Sequence, residues 1–194
     1  MKNKILKFAI FYFLSFSCSP GDLDKTIFIP DEDIPELPAY TEWGYNSFGA
    51  EYERDYFLAS QRIVPCKIMC ENNQLRFSLN GTIRNNTEMT LEFIFPVSQM
   101  RDYTDLAQLN DVVIDLAADD CKVKIWQGEN ETVLDILNGK LHFKRTQVLY
   151  VNDNINRVIL SGIFELRFLQ KGFPTIISNG RFDLGINDKV FYSH

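Results

Sequence analysis

Apolar side chains recur at every second position through most of this chain, and that spacing commits it to β-structure. Leu75, Phe77 and Leu79 alternate with Arg76 and Ser78, and Met89, Leu91, Phe93 and Phe95 repeat the pattern until Pro96 stops it. Successive strand side chains point to opposite faces, so the alternation leaves each segment one face to bury. Cys121, Val123 and Ile125 face one way, and Lys122, Lys124 and Trp126 the other. Further strands are expected over residues 133–137, 141–143, 148–151, 158–168 and 181–186. The longest of these carries Gly162 at its middle, a natural bend or bulge. Asn80-Gly81 reads as a hairpin turn, and only 103–109 has helical character. About nine or ten antiparallel strands with Greek-key or hairpin connections imply an all-β sandwich, with a closed calycin-like barrel as the alternative. Leu79, Phe93, Val123, Phe164 and Phe182 are expected in its core.

The N-terminus carries a different signal. Lys2, Lys4 and Lys7 precede an apolar run over 8–16 that ends at Ser17-Cys18-Ser19. A basic stretch, a short apolar stretch and a small residue before the break form an export signal, and the run is about half of the ~20 apolar residues a spanning helix needs. Residues 1–17 are therefore expected to be removed, leaving Cys18 as the lipidation site and first mature residue. Leu14 stands four positions before that cysteine, where the usual lipidation pattern places such a residue three before; ordinary secretion with cleavage nearby is the alternative. Ser19 rather than an aspartate follows, which favours the outer membrane of a bacterial cell envelope over retention at the inner one.

Without the leader about 177 residues remain, the size of one domain. Removing three of the 20 basic side chains against 26 acidic ones leaves a net charge near −9, a poor match for nucleic acid or anionic headgroups. Membrane contact would then run through the lipid anchor. Residues 18–40 are acidic and punctuated by Pro30, Pro35 and Pro38, and read as an extended tether. Asp31-Glu32-Asp33 within it matches no calcium loop. Residues 41–194 form the single β-rich domain. Cys66, Cys70 and Cys121 remain after Cys18. On one strand Cys66 and Cys70 lie about 13 Å apart, beyond disulfide reach, so the options are a bridge from one of them to Cys121 or free buried thiols.

Two stretches carry a family resemblance: Trp43-Gly44-Tyr45-Asn46-Ser47-Phe48-Gly49-Ala50, and Leu160-Ser161-Gly162-Ile163-Phe164-Glu165 followed by Asn179-Gly180-Arg181-Phe182-Asp183. They resemble the opening and closing signatures of small β-rich lipoproteins of Bacteroidetes-type bacteria, a domain family of unknown function. The resemblance implies an envelope lipoprotein and brings no catalytic residues with it.

Candidate chemistry is sparse. His142 and His194 are the only histidines. His142 falls on the polar side of its strand, while Cys121, the nucleophile it would need, falls on the apolar side. Cys66-x-x-x-Cys70 lacks a second pair of zinc ligands, and no cofactor or metal is expected. Glu92 and Glu165 occupy polar-face positions, so a carboxylate-dependent hydrolase such as a glycosidase is the alternative function. The leading expectation is a non-catalytic envelope module binding a glycan, protein or small ligand, with Trp43, Trp126 and Tyr45 as candidate ligand-binding aromatics. Trp126 is the strongest of the three on sequence, since it shares the presumed outer face with the lysines; packing in the core or at a hairpin edge is the plainer account of all three. Acylation at Cys18 predicts that cells fed a palmitate analogue label the wild-type protein and not Cys18→Ala; equal label on both would end the lipoprotein assignment.

Overall fold

The computed structural model describes residues 25–61, 63–84 and 86–193. The expected export signal, the expected lipidation site Cys18, and His194 lie outside the described residues. Twelve strands are present: β1 (Ser47–Tyr52), β2 (Asp55–Ala59), β3 (Cys66–Glu71), β4 (Gln74–Ile83), β5 (Thr87–Pro96), β6 (Val112–Asp115), β7 (Lys122–Gln127), β8 (Asn130–Val133), β9 (Asp135–Val151), β10 (Asn154–Gln170), β11 (Phe173–Ile186) and β12 (Phe191–Ser193). They form one continuous sheet in the order β6-β9-β10-β11-β1-β2-β4-β5-β7-β8, with β3 also on β4 and β12 parallel to β3. The path ends at β6 and β8 without closing, so the protein is all-β but not a barrel.

Instead, the two halves of the sheet fold face to face. Phe77 on β4 packs 5.6 Å from Phe143 on β9 and 5.1 Å from Phe182 on β11, and Phe93 on β5 meets Phe164 on β10 edge-on at 5.4 Å. Leu79, Phe93, Val123, Phe164 and Phe182 are all buried here, as the alternation predicts. Aromatic pairs at such offset angles add about 0.5–1.5 kcal/mol each to their burial.

Strand number exceeds the expected nine or ten because β2, β8 and β12 are too short to show a period. The three runs expected between 133 and 151 fall mostly on one strand, β9. Its pairing with β10 shifts register between Ser161 and Ile163, which changes the phase of the alternation and makes one strand read as several. Gly162 sits at that shift. A Cβ there would meet the His142 carbonyl oxygen at 2.2 Å and Phe182 at 2.5 Å. Asn80-Gly81 is not a turn: both residues lie inside β4, which runs on to Ile83, and Arg84 and Asn86 beyond it take positive φ. Glycine is needed at 81 for packing, since a Cβ would stand 2.3 Å from the Leu58 carbonyl oxygen and 2.6 Å from Phe48. The helical stretch forms as a 3-10 helix, Tyr103–Leu109, capped by Asp102.

From Lys25 onward, the stretch expected to be an extended tether is packed on the domain. Ile27 N–H donates to the Tyr45 carbonyl, Ala39 N–H to that of Ile29, and Asp31 N–H to that of Leu37, so residues 27–45 double back on themselves. Leu37 is fully buried, and Pro38 and Leu37 lie over Gly49, where a side chain would collide with them. The acidic cluster supplies the turn: Asp31 Oδ1 accepts from the N–H groups of Asp33 and Ile34, both at 3.1 Å, and Asp31 pairs with Arg181. The Ile34 N–H, with the Asp33 N–H and Arg181, holds the Asp31 carboxyl below the usual aspartate range against an opposing push from burial. Proline punctuation here marks a folded hairpin-like arm, because buried Leu37 anchors it.

Cys66 and Cys70 are free and buried on β3, and Cys121 is free and half-buried beside the core. Phe93→Ala or Phe164→Ala should cost about 3–5 kcal/mol in urea unfolding, the range for truncating a buried phenylalanine, and Trp126→Ala, half-buried on the outer face, clearly less. Trp126 proving the costliest of the three would mean the faces are assigned backwards.

Candidate functional site

The two family-like signatures meet at one buried carboxylate. Asp183 lies on β11 between Phe182 and Leu184, which point into the core, so its own side chain points out of the sheet; yet it is only 1% exposed. Residues 41–45 cover it. Its two oxygens accept from Thr41 Oγ1 at 2.5 Å, Gly44 N at 2.7 Å, Trp43 N at 3.0 Å, Ser161 Oγ at 3.1 Å and Tyr45 N at 3.3 Å. Burying a carboxylate is costly unless its lone pairs are filled, and here five donors fill them. Gly44 makes the wrap feasible, with φ of +73° and its Cα packed against Ile159 and Gly185. Asn46 continues the loop at φ +53° and accepts the Gly185 N–H at 3.0 Å.

The fixed loop holds Trp43 outward, 71% exposed. Along the outer face of β9 lie two neighbouring concavities that share Tyr40, together called the β9 groove. One, of about 430 Å³, is bordered by Lys140, His142, Ile163, Glu165 and Arg181. Register explains this gathering: Val113, His142, Ile163 and Arg181 stand side by side on β6, β9, β10 and β11, and Lys140 faces Glu165 one step along. The other concavity, about 540 Å³, is bordered by Trp43, Glu42, Arg145, Gln147 and Leu149.

Three of the charged groups here, Glu42, His142 and Arg181, have polar partners close by. Glu42 accepts from the Tyr40 hydroxyl at 2.9 Å and from Arg145 at 3.0 Å. His142 Nε2 lies 2.9 Å from Asp111 Oδ1, and Arg181 pairs with Asp31. Lys144 sits 4.9 Å over the Tyr40 ring. Burial first, then the hydrogen bond to Glu42, pushes the Tyr40 hydroxyl well above the usual tyrosine range, so it stays protonated at any physiological pH.

A third cavity, of about 550 Å³, lies at one end of the sandwich and includes Lys25, Asn46, Val64, Cys66 and Lys189. Burial pushes the Cys66 thiol up to about 12, leaving it no nucleophilic character there. The β9 groove is the better candidate site, having convergent polar groups and an exposed, fixed aromatic ring.

Of the sequence candidates, Trp43 lies on the groove. Tyr45 contributes backbone: its N–H reaches Asp183 and its carbonyl receives Ile27. Trp126, the strongest candidate on sequence, sits on β7 between Thr90 and Glu131 with Lys124 5.9 Å from its ring, and borders none of these cavities. Glu92 and Glu165 cannot act as a pair. They neighbour Phe93 and Phe164, which touch in the core, so the two carboxylates leave the sandwich through opposite faces. Glu92 is buried, accepts from Ser78 Oγ at 3.3 Å, and has no hydrogen-bond partner for its second oxygen among the described residues. Cys121 lies with Asp120 rather than with His142, and burial, followed by Asp120, pushes its thiol up to about 11.

Tyr40, Arg145, Arg181 and Asp183 were not singled out by sequence. The alternation does place Asp183 on a polar face; nothing local announces the loop that buries it. Compared with known proteins, the chain matches no family model, no curated relative and no solved structure.

Asp183→Asn should destabilise the fold by roughly 2–4 kcal/mol, since a neutral amide accepts less strongly and its NH2, in place of one oxygen, turns a donor toward at least one of the backbone N–H groups at 43–45. A lowered urea midpoint at unchanged slope, with faster hydrogen exchange at the Trp43 and Gly44 amides, is the expected result; unchanged exchange there would show that Asp183 does not hold the loop.

Proposed function

We propose that this protein is an exported lipoprotein, anchored at the outer membrane through acylated Cys18, and that it is a non-catalytic binding module of the cell envelope whose ligand lies in the β9 groove. The observation that carries the binding assignment is Trp43. Its side chain is 71% exposed beside a concavity that it helps to line, and three consecutive backbone amides at 43–45 hold its loop to a buried carboxylate. A loop whose backbone is fixed in this way has little freedom left to lose when a ligand covers its ring.

The leader and the family-like signatures support the envelope assignment, and among the described residues no helix is long and apolar enough to cross a membrane. A mature charge near −9 argues against polyanionic partners. Separation of Glu92 from Glu165 across the sandwich removes the geometric basis for the carboxylate hydrolase, whose two acids must flank one bond.

The purified protein should turn over no member of a glycoside and ester panel above background. On a combined glycan and envelope-protein array it should capture a partner, and Trp43→Ala should lose that capture while keeping the wild-type urea midpoint. Turnover abolished by Glu165→Gln would replace the binding module with the hydrolase, and capture indifferent to Trp43→Ala would move the site elsewhere.

A further inference from the structure

We propose that the groove takes an uncharged oligosaccharide chain, laid along β9 with one sugar ring against Trp43. This rests on the binding-module assignment above and specifies its ligand.

The first argument is length. The residues lining the groove's two concavities run along β9 from Lys140 to Leu149, nine steps that span roughly 30 Å at strand rise, with Tyr40 between the two. That dimension suits several linked units of an extended polymer better than one compact molecule.

Charge is the second argument. Arg145 is met by Glu42, Arg181 by Asp31, His142 by Asp111, and Lys140 faces Glu165 in register. A ligand with fixed charges would have to compete with the pairs already made at Arg145 and Arg181. An uncharged ligand leaves every pair intact.

The polar surface that remains has the chemistry of hydroxyl recognition. A sugar hydroxyl both donates and accepts, so it bonds best where donors and acceptors sit side by side. Arg145 beside Glu42, the Tyr40 hydroxyl, Gln147 and Asn179 supply that alternation along the groove. The Tyr40 hydroxyl donates its proton to Glu42 at 2.9 Å, which leaves its oxygen to accept from a ligand. Trp43 supplies the complementary apolar surface, since one face of a pyranose ring presents mainly C–H groups to a flat aromatic.

An extended peptide fits less well. Peptides add to sheets through an open edge, whereas the groove lies on a sheet face. The neighbouring edge of β9 is occupied by β6 at 140–143, and the Thr146 N–H is already bonded to Asn110 Oδ1 at 2.9 Å.

The chain has two tryptophans, so Trp126→Phe leaves Trp43 as the sole indole reporter. This variant should be titrated with uncharged oligosaccharides, two to six units long, of glucose, mannose, xylose, galactose and N-acetylglucosamine. A blue shift of Trp43 emission is expected for at least one series, with affinity rising with chain length. That affinity should change less than about twofold between low and high salt, because no ion pair is formed or broken. Calorimetry with Trp43→Ala should show at least a tenfold loss, as for a central aromatic contact, with Trp43→Tyr recovering part of it. Silence across the whole panel would overturn the proposal, as would a preference for polyuronates with steep salt dependence. Capture of a peptide or protein that Trp43→Ala abolishes would overturn the sugar assignment and leave the binding module standing; an array that captures no partner of any class would remove both.

Discussion

The carboxylate of Asp183 is the constraint on which the candidate site depends. It lies on the outer side of a sheet whose inner side is packed with phenylalanines, where an unsatisfied charge covered by protein would be intolerable. The chain resolves this with five donors, three of them consecutive backbone amides of residues 43–45. The loop can wrap the carboxylate only with glycine at position 44, and it ends with Asn46 tied to β11 through Gly185. Fixing this loop has two consequences. It places the N-terminal arm across the outer face of the sheet, and it leaves the Trp43 ring outside.

The long strands β9, β10 and β11 then give the arm a surface to border. Each runs for 14 to 17 residues, and register shifts let them bend without losing pairing. The arm covers part of their outer face, and the strip it leaves uncovered is the groove. Its ion pairs join residues remote in sequence, Glu42 with Arg145 and Asp31 with Arg181, so the same contacts that seat the arm also neutralise the groove. Exposed pairs of this kind contribute little stability, about 0–1 kcal/mol each. Their larger effect is on what kind of ligand the groove tolerates.

Much of the fold was legible because alternation is a local property. Whether Phe93 or Phe164 is buried follows from its own neighbours, and both are. The 3-10 helix at Tyr103–Leu109 and the irregularity at Gly162 were equally readable, since each depends on a few adjacent residues. Reading failed where a distant contact overruled the local signal. Asn80-Gly81 carries the composition of a turn, but Phe48 and the β2 backbone press against position 81 and keep it in a strand. The acidic, proline-rich arm carries the composition of a tether, but Leu37 and Arg181 hold it down. Trp126 was favoured over Trp43 because it stood among lysines, a criterion blind to where the cavities lie.

By itself the sequence determined an all-β chain and its core phenylalanines. These follow from strand periodicity. Only the tertiary structure decided that the sheet stays open and folds on itself, that Glu92 and Glu165 leave through opposite faces, and that Trp43 rather than Trp126 overlooks a groove. The physical reason is distance along the chain: Asp183 receives hydrogen bonds from residues 138 to 142 positions before it. No period of two or three residues can encode a contact on that scale.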